Sequence, residues 1–427
     1  MATRRLVVGF WFLVVAVLPA LTPIALPRSS SATQAADTAS AAVVQPRFTS
    51  VLPETHGIRV IPGKTVVIPD ASDVRGTRLQ DGRLVLIGSM TGNHPYSVWS
   101  NDDGRTWKKG PRGPDDETVL DFGNGEILSI YPTTNRRPDG KFSLNQRRSL
   151  DNWKTITEEE GIVDTPRAVS IVGDDGKTQP GGLMLHHGIA QLKNGDLMAT
   201  MYGTYAEDQQ PAEGYPVSMK MRKTRTIVVF SSDRGRTWGR AITVAADQML
   251  ARGENPDFTV KRFALAPAVT QEGFGEAHLV RAPDGDLLCL MRSGGRLSFP
   301  EAPVFPTPLY AARSCDEGVS WLPPVQILDR GTSPIAATLG NKLMVAAYSR
   351  PNGWLAFSSD DGRTWRGVFQ ISTSDGNVNV LAVGTTTILA LYYAHGHVTG
   401  TFLTVDRTER YHPSPSPCVD LHMFLHR

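Results

Sequence analysis

Four near-copies of one eight-residue string recur along the chain: Ser100-Asn101-Asp102-Asp103-Gly104-Arg105-Thr106-Trp107, Ser231-Ser232-Asp233-Arg234-Gly235-Arg236-Thr237-Trp238, Ser314-Cys315-Asp316-Glu317-Gly318-Val319-Ser320-Trp321 and Ser358-Ser359-Asp360-Asp361-Gly362-Arg363-Thr364-Trp365. The string suits a tight hairpin: the Asp and the hydroxyls bond nearby backbone, Gly takes a conformation with positive φ, and Trp packs the turn onto a neighbouring sheet. A weaker fifth copy, Ser149-Leu150-Asp151-Asn152-Trp153, falls in the same series. Repeats at such spacings mean a propeller or a solenoid.

A second repeat interleaves with the first. Turn pairs stand before apolar runs at Asp81-Gly82, Asn124-Gly125, Asn194-Gly195, Asp284-Gly285, Gly340-Asn341 and, without its Gly, Thr385-Thr386. Such pairs are the strongest short hairpin signal. Six hairpins predict an all-β fold, a six-bladed β-propeller of four-stranded antiparallel blades spanning residues 51–411, with the boxes as the turns between third and fourth strands. The sixth blade lacks a box and is expected to close with an N-terminal strand such as Thr65–Ile68.

The chain has 427 residues, 40% hydrophobic and 20% charged, with a net charge of +2 and no face-forming basic run, which argues against nucleic acid as a partner. Arg4 and Arg5 precede an apolar run from Leu6 to Leu18, ended by Pro19 and followed by small residues from Ser29 to Ala36. This pattern predicts a signal peptide over 1–36, cleaved near Ala32 to Ala36, then an Ala/Ser-rich linker over 37–50. The expected product is a secreted, extracellular monomer with no stable membrane association after cleavage, ending in a tail over 412–427. Cys289, Cys315 and Cys418 make neither a disulfide framework nor a metal-ligand spacing; Cys289 and Cys315 either pair or are two buried thiols. The histidines show no zinc-type spacing, so no metal or other cofactor is expected.

In a four-stranded antiparallel blade the first and third turns lie at one end and the remaining connections at the other. The long connections, Gly203 to Arg225, Thr243 to Gly275 and Ser293 to Pro308, are all of the second kind. The site is therefore expected where first strands begin and second strands end, and the box Asp residues, at the opposite end, are read as structural. Counting about eight residues either way from each hairpin turn brings to this rim Asp73, Arg75, Arg78, Asn93 and His94 from blade one, Asp116, Glu117 and Tyr131 from blade two, and His186, His187, Tyr202 and Tyr205 from blade three. Blade four contributes Glu276, His278 and Arg292, blade five Arg350, and blade six Asn377, Asn379, Tyr392, Tyr393 and His395. Arginines ending two successive second strands suit a carboxylate, which guanidinium groups bind bidentately.

The boxes, the blade count and the segment from Gly275-Glu276 through Asp284-Gly285 to Arg292 resemble the sialidase superfamily over about residues 57–406. The resemblance implies that Glu276 polarises a tyrosine nucleophile and that Arg292 and Arg350 belong to an arginine triad holding the carboxylate of sialic acid, with Arg75 or Arg78 as third member. The chain departs from that family in lacking an Arg-Ile-Pro signature in blade one. It also has Gly376-Asn377-Val378-Asn379 where the nucleophilic tyrosine belongs, and Asn93-His94 where the general acid belongs. Tyr392 or Tyr393 is then the candidate nucleophile, and Asp73, Asp116 or Glu117 the candidate acid.

The function expected first is a secreted exo-glycosidase that hydrolyses a terminal acidic sugar, sialic acid or similar, from a glycan. A second reading keeps the arginines and uses His186, His187 and Tyr202 for proton abstraction and elimination at a uronic acid. A third is a carbohydrate-binding propeller without catalysis.

Overall fold

The computed structural model describes residues 57–89, 95–114, 118–169, 183–212, 221–247, 272–294 and 307–412. The segments read as signal peptide and tail, the centres of the three long connections, and Asn93, His94, Asp116 and Glu117 lie outside the described residues.

All regular elements among the described residues are strands. In chain order they are β1 (Ile58–Ile68), β2 (Gly76–Arg78), β3 (Leu84–Ser89), β4 (Tyr96–Ser100), β5 (Lys108–Pro111), β6 (Thr118–Asp121), β7 (Ile127–Arg136), β8 (Phe142–Ser149) and β9 (Thr157–Val163). There follow β10 (Ala168–Val169), β11 (Leu183–Gln191), β12 (Leu197–Tyr205), β13 (Arg225–Ser231), β14 (Thr237–Ala245), β15 (Gly275–Arg281), β16 (Leu287–Arg292), β17 (Leu309–Ser314) and β18 (Val325–Leu328). The last are β19 (Thr332–Thr338), β20 (Met344–Ser349), β21 (Gly353–Ser358), β22 (Arg366–Ser372), β23 (Asn379–Ala382), β24 (Thr387–Ala394) and β25 (His397–Arg407).

Four sheets are four-stranded: β2-β3-β4-β5, β15-β16-β17-β18, β19-β20-β21-β22 and β23-β24-β25-β1. In the last of these the N-terminal strand pairs antiparallel with β25 along nearly its whole length, Ile58 opposite Arg407 and Ile68 opposite Val398. The remaining strands depart from the expected separate sheets. The meanders β6-β7-β8-β9 and β11-β12-β13-β14 merge into one nine-stranded sheet with β10. The long β7 reaches β11 at Thr133 and Met184, and β9 runs parallel to β14 at Ile162 and Thr237, so seven strands close into a ring.

Burial explains the strand pattern. β16 and β20 are buried at every position because neighbouring sheets cover both their faces, hence their short continuous apolar runs. The edge strand β5 and the Thr157–Glu160 part of β9, ahead of its contact with β14, are largely exposed and charged, which protects a free edge from unwanted pairing. Apolar clusters lie between successive sheets, and one joins Leu381, Leu389 and Leu391 near the C-terminus to Leu84 and Leu86 near the N-terminus. The first strands of successive sheets lie side by side, β6 on β11, β11 on β15, β15 on β19, β19 on β23 and β23 on β2.

The boxes lock this arrangement at one end. In the copy at Ser358, the serine Oγ accepts the Gly362 N–H at 2.9 Å and donates to Asp360 Oδ1 at 2.8 Å; Asp360 also accepts the Thr364 N–H at 2.9 Å and the Thr364 hydroxyl at 2.6 Å. Trp365 Nε1 closes the turn on the Gly362 carbonyl at 3.2 Å. The copies at Ser100, Ser231 and Ser314 repeat these bonds. Three acceptor bonds leave the carboxylate little capacity for chemistry, and in the Asp102 copy burial is outweighed by such donors, bringing the acid down to about 2.

Each box glycine has positive φ, and a Cβ on it would strike the second strand of the preceding sheet: Leu389 from Gly104, Leu128 from Gly235, Met198 from Gly318 and Leu288 from Gly362. Ion pairs reinforce the same seams. Asp284 accepts from Arg313 at 3.0 Å in its own sheet and from Arg363 at 3.1 Å in the next, and Glu126 accepts from Arg148 at 2.5 Å and also from Arg234.

The fifth copy differs from its sequence reading. Ser149 and Asp151 make the same bonds, but Trp153 occupies the glycine position with φ of 71°, its N–H on Ser149 Oγ at 2.8 Å. Its indole donates to the Arg112 carbonyl at 3.0 Å, and Ile156, where the other copies have tryptophan, is exposed. Cys289 carries a free, buried thiol, so it does not pair with Cys315.

Gly362→Ala is expected to destabilise the fold by about 2–4 kcal/mol, combining left-handed strain with overpacking on Leu288. Gly285→Ala, with φ of 98° and open space around its Cβ, carries only the strain, about 1 kcal/mol. Denaturant midpoints of the two variants separate the terms.

Candidate active site

Three successive inner strands share one irregularity. The register of β11 on β12 slips between Leu185 and Ile189, that of β15 on β16 between Gly275 and His278, and that of β19 on β20 between Thr332 and Ile335. At each slip a non-glycine residue has left-handed φ: His187 at 42°, Glu276 at 41° and Ser333 at 47°. A bulge re-aims a side chain, and side chains of these types adopt such φ only when the surroundings enforce it. The three bulges lie at the end away from the boxes: on β16, Gly275 is opposite Arg292, whereas Ser314 of the box is opposite Leu287.

Arg292 is buried and paired with two carboxylates, Nη1 with Glu276 Oε1 at 2.7 Å and Nη2 with Glu272 Oε2 at 2.5 Å. The Ser333 hydroxyl donates to the other oxygen of Glu276 at 2.9 Å. Burial alone would raise the Glu276 carboxyl, but the charges of Arg292 and Arg350 and the hydrogen bond from Arg292 outweigh it and hold the acid well below its usual range. Arg350 follows β20 with φ of 64°. Its guanidinium bonds only neutral acceptors, the Asp375 carbonyl at 3.4 Å and Asn377 Oδ1 at 3.2 Å, and burial lowers its basicity. Among the described residues it forms no salt bridge.

Histidines surround this pair of cations. The His186 and His187 rings meet edge-on at 4.3 Å, His186 lies edge-on to Tyr202 at 6.2 Å, and His187 is 6.4 Å from His278. His278 Nε2 bonds the Ala336 carbonyl at 2.9 Å. Burial brings His186 and His278 down to about 4, and His187 falls well below its usual value through burial and the two other imidazoles, so all three are neutral near pH 7. Arg75 is close enough for its charge to act on both His186 and His187.

The structure thus brings together His186, His187, Tyr202, Glu276, Arg292 and Arg350, with Arg75 near by. Asp73 is engaged otherwise than as a free acid: Arg75 holds one of its oxygens at 2.6 Å from Nη2 and 2.9 Å from Nε. Tyr393 stands beside this pair, its hydroxyl donating to the Ser72 carbonyl at 3.0 Å, with burial and the Asp73 charge pushing its pKa up. Tyr392 points the other way, into the apolar cluster between the last two sheets, bonded to the Thr401 hydroxyl at 2.8 Å. Arg78 pairs with the box residue Asp103 at 2.8 Å, at the far end from the rim. Asp116 lies outside the described residues. Glu272 and Ser333 were missed by the sequence reading, although Ser333 precedes Arg350 much as Glu276 precedes Arg292. Among the described residues no group of three or more His, Cys, Asp or Glu side chains is placed to hold a metal ion.

No protein-family model and no curated protein sequence matches the chain. Solved structures do. A protein of unknown function from Dyadobacter fermentans is 17% identical with a TM-score of 0.52, the match covering 82% of this chain and all of that one. A GH93 α-L-arabinofuranosidase of Fusarium graminearum, solved with arabinobiose, is 13% identical with a TM-score of 0.49 over 81% of this chain and 98% of its own. A Hadza microbial sialidase is 15% identical with a TM-score of 0.46, and this chain spans 66% of its length. At these identities the likeness to the Dyadobacter protein speaks for the fold alone.

The neutral imidazoles make stability depend on pH. Their folded pKa values lie below the ordinary 6.5, so the unfolded chain takes up protons first as pH falls. Their contribution is complete above 6.5 and is lost as pH falls toward about 4. Each neutral histidine is expected to contribute a slope of about 1.4 kcal/mol per pH unit in that window. Unfolding midpoints between pH 7 and 5 should fall less steeply in His278→Asn than in the wild type.

Proposed function

We propose that the six four-strand meanders are the blades of one propeller, and that the chain is a glycan-cleaving enzyme whose reacting sugar carries a carboxylate. Arg350 carries this reading. A partly buried guanidinium with only neutral acceptors is short of the anion it binds best, and a carboxylate would supply charge-assisted bonds there. Arg292, close by, already has Glu272 and Glu276 as direct partners, whereas Arg350 touches no carboxylate oxygen among the described residues.

The reaction proposed first is hydrolysis of the sialidase kind, in which the bond from the anomeric carbon of a terminal acidic sugar to the rest of the glycan breaks, the remaining glycan leaves as an alcohol, and water completes the freed sugar, with Glu276 as the group that draws a proton from a hydroxyl. In the unliganded protein both oxygens of Glu276 are occupied, by Arg292 and Ser333. A substrate carboxylate competing for Arg292 would release one of them, and catalytic hydrogen bonds commonly tighten only in the substrate complex. Tyr202, whose ring lies over Gly275, and Tyr393 are two tyrosines at this end of the fold that stand beside the site.

A second reading, elimination at a uronic acid, is favoured by the neutral His186 and His187 edge-on to each other beside Tyr202. A neutral imidazole accepts the proton next to the carboxylate, and the tyrosine hydroxyl protonates the departing oxygen. Secretion behind a cleaved signal peptide belongs to the same proposal, because glycans of this kind are extracellular.

The test is incubation with sialyl-terminated and uronate-terminated glycans, following free sugar and unsaturated product separately. Hydrolysis is expected to release free sugar and to be lost in Glu276→Gln; elimination is expected to yield the unsaturated product and to be lost in His187→Ala. In either case Arg350→Ala should weaken the acidic substrate by about 2–5 kcal/mol in kcat/KM and leave a neutral analogue nearly unchanged. Absence of turnover on every acidic glycan, or equal losses for acid and neutral analogue, would contradict the proposal.

A further inference from the structure

Ser333 is unassigned by everything above except its bond. It sits at the third of the three equivalent bulges, is buried, and holds a φ of 47° that costs a serine strain it could avoid as glycine. Its hydroxyl is committed across a sheet boundary, donating to Glu276 Oε2 at 2.9 Å from β19 to β15. Glu276 is itself strained, at 41°, and its other oxygen is bound by Arg292 at 2.7 Å. The carboxylate is therefore clamped from two sides, by a guanidinium of its own sheet and a hydroxyl of the next.

We infer that Ser333 is a positioning residue that fixes the orientation of Glu276 and, through it, of the Arg292 guanidinium at the sugar site. The inference rests on the functional reading above and adds to it the device that aims the carboxylate. The bulge is what makes this possible: the backbone in the left-handed region turns the side chain at position 333 toward β15. A hydroxyl is the smallest group that reaches Glu276 with a donor while adding no charge to a site that already holds Arg292, Arg350 and the Arg75–Asp73 pair. The charged groups that act on Glu276 are Arg292 from β16 and Arg350 from the segment after β20, with Glu272 on the far side of Arg292 and the neutral imidazole of His186 facing it from β11. Removing the Ser333 donor leaves the carboxylate with Arg292 as its only direct partner among the described residues.

Two variants separate positioning from mere structure. Ser333→Ala removes the hydroxyl and keeps the strain; Ser333→Gly removes both. Both are expected to lower kcat for the acidic glycan about tenfold or more with KM little changed, because the substrate still meets its arginines while the carboxylate is misaimed. Their stabilities should diverge, with Ser333→Gly melting above Ser333→Ala, since only glycine relieves the left-handed backbone. A residue that served only the fold would lose activity in step with melting temperature. Crystal structures of both variants supply a readout independent of turnover. Rotation of Glu276 away from its present place on Arg292, or a second rotamer there, supports the inference; an unmoved Glu276 in both variants overturns it. If the wild type proves inactive on every acidic glycan, the functional reading falls, and the rotamer of Glu276 still decides the role of Ser333.

Discussion

Everything in this fold leans on the way a box glycine sits against the sheet before it. The turn is rigid because one aspartate accepts two hydroxyls and backbone N–H groups at once, as Asp360 does from Ser358 and Thr364. The rigid turn then drives Gly362 onto Leu288, Gly318 onto Met198 and Gly235 onto Leu128, where no Cβ fits. Each contact joins one four-strand meander to the second strand of its predecessor. Inter-sheet pairs such as Arg363 on Asp284 cross the same seams, so one end of the molecule is stitched from sheet to sheet.

That stiffness permits strain at the other end. Left-handed backbone at His187, Glu276 and Ser333, three imidazoles held neutral by burial, and a partly buried arginine with no direct salt bridge among the described residues are each unfavourable for folding. They occur together, at the end of the fold opposite the boxes. The arrangement fits the general expectation that strained groups persist where the scaffold over-determines them and where ligands bind. Bonding follows the same division: Arg292 is held directly by Glu272 and Glu276, whereas Arg350 bonds neutral acceptors that a ligand carboxylate can replace.

Much of the scaffold was legible in the sequence, because boxes and Asn-Gly or Asp-Gly turns act over a few residues and their chemistry is local. The pairing of the N-terminal strand with β25, and the proximity of Glu276 to Arg292, followed from counting along strands about those turns. What escaped was decided by single-residue geometry or by distant neighbours. Tyr392 and Tyr393 are adjacent in one strand and so face opposite sides; one enters the core and the other the rim. Trp153 looked like the box tryptophan and stands in the glycine position, a one-turn offset that the spacing to Thr155 encodes. The merging of two meanders depends on how far β7 extends and on a parallel contact between β9 and β14, neither of which has a local signal. Ser333 was invisible because its function depends on a bulge, and bulges of non-glycine residues leave no mark on composition.

The central claim is that a sugar carboxylate completes the coordination of Arg350 at the rim formed by Glu276, Arg292 and the histidines. A crystal structure of the wild-type protein with a bound acidic monosaccharide, sialic acid or a uronic acid, tests it most directly. The account expects the carboxylate within hydrogen-bond distance of the Arg350 guanidinium, with the ring lying toward His186 and Tyr202. A sugar bound at the box end, or bound at the rim with its carboxylate turned away from Arg350, would contradict it.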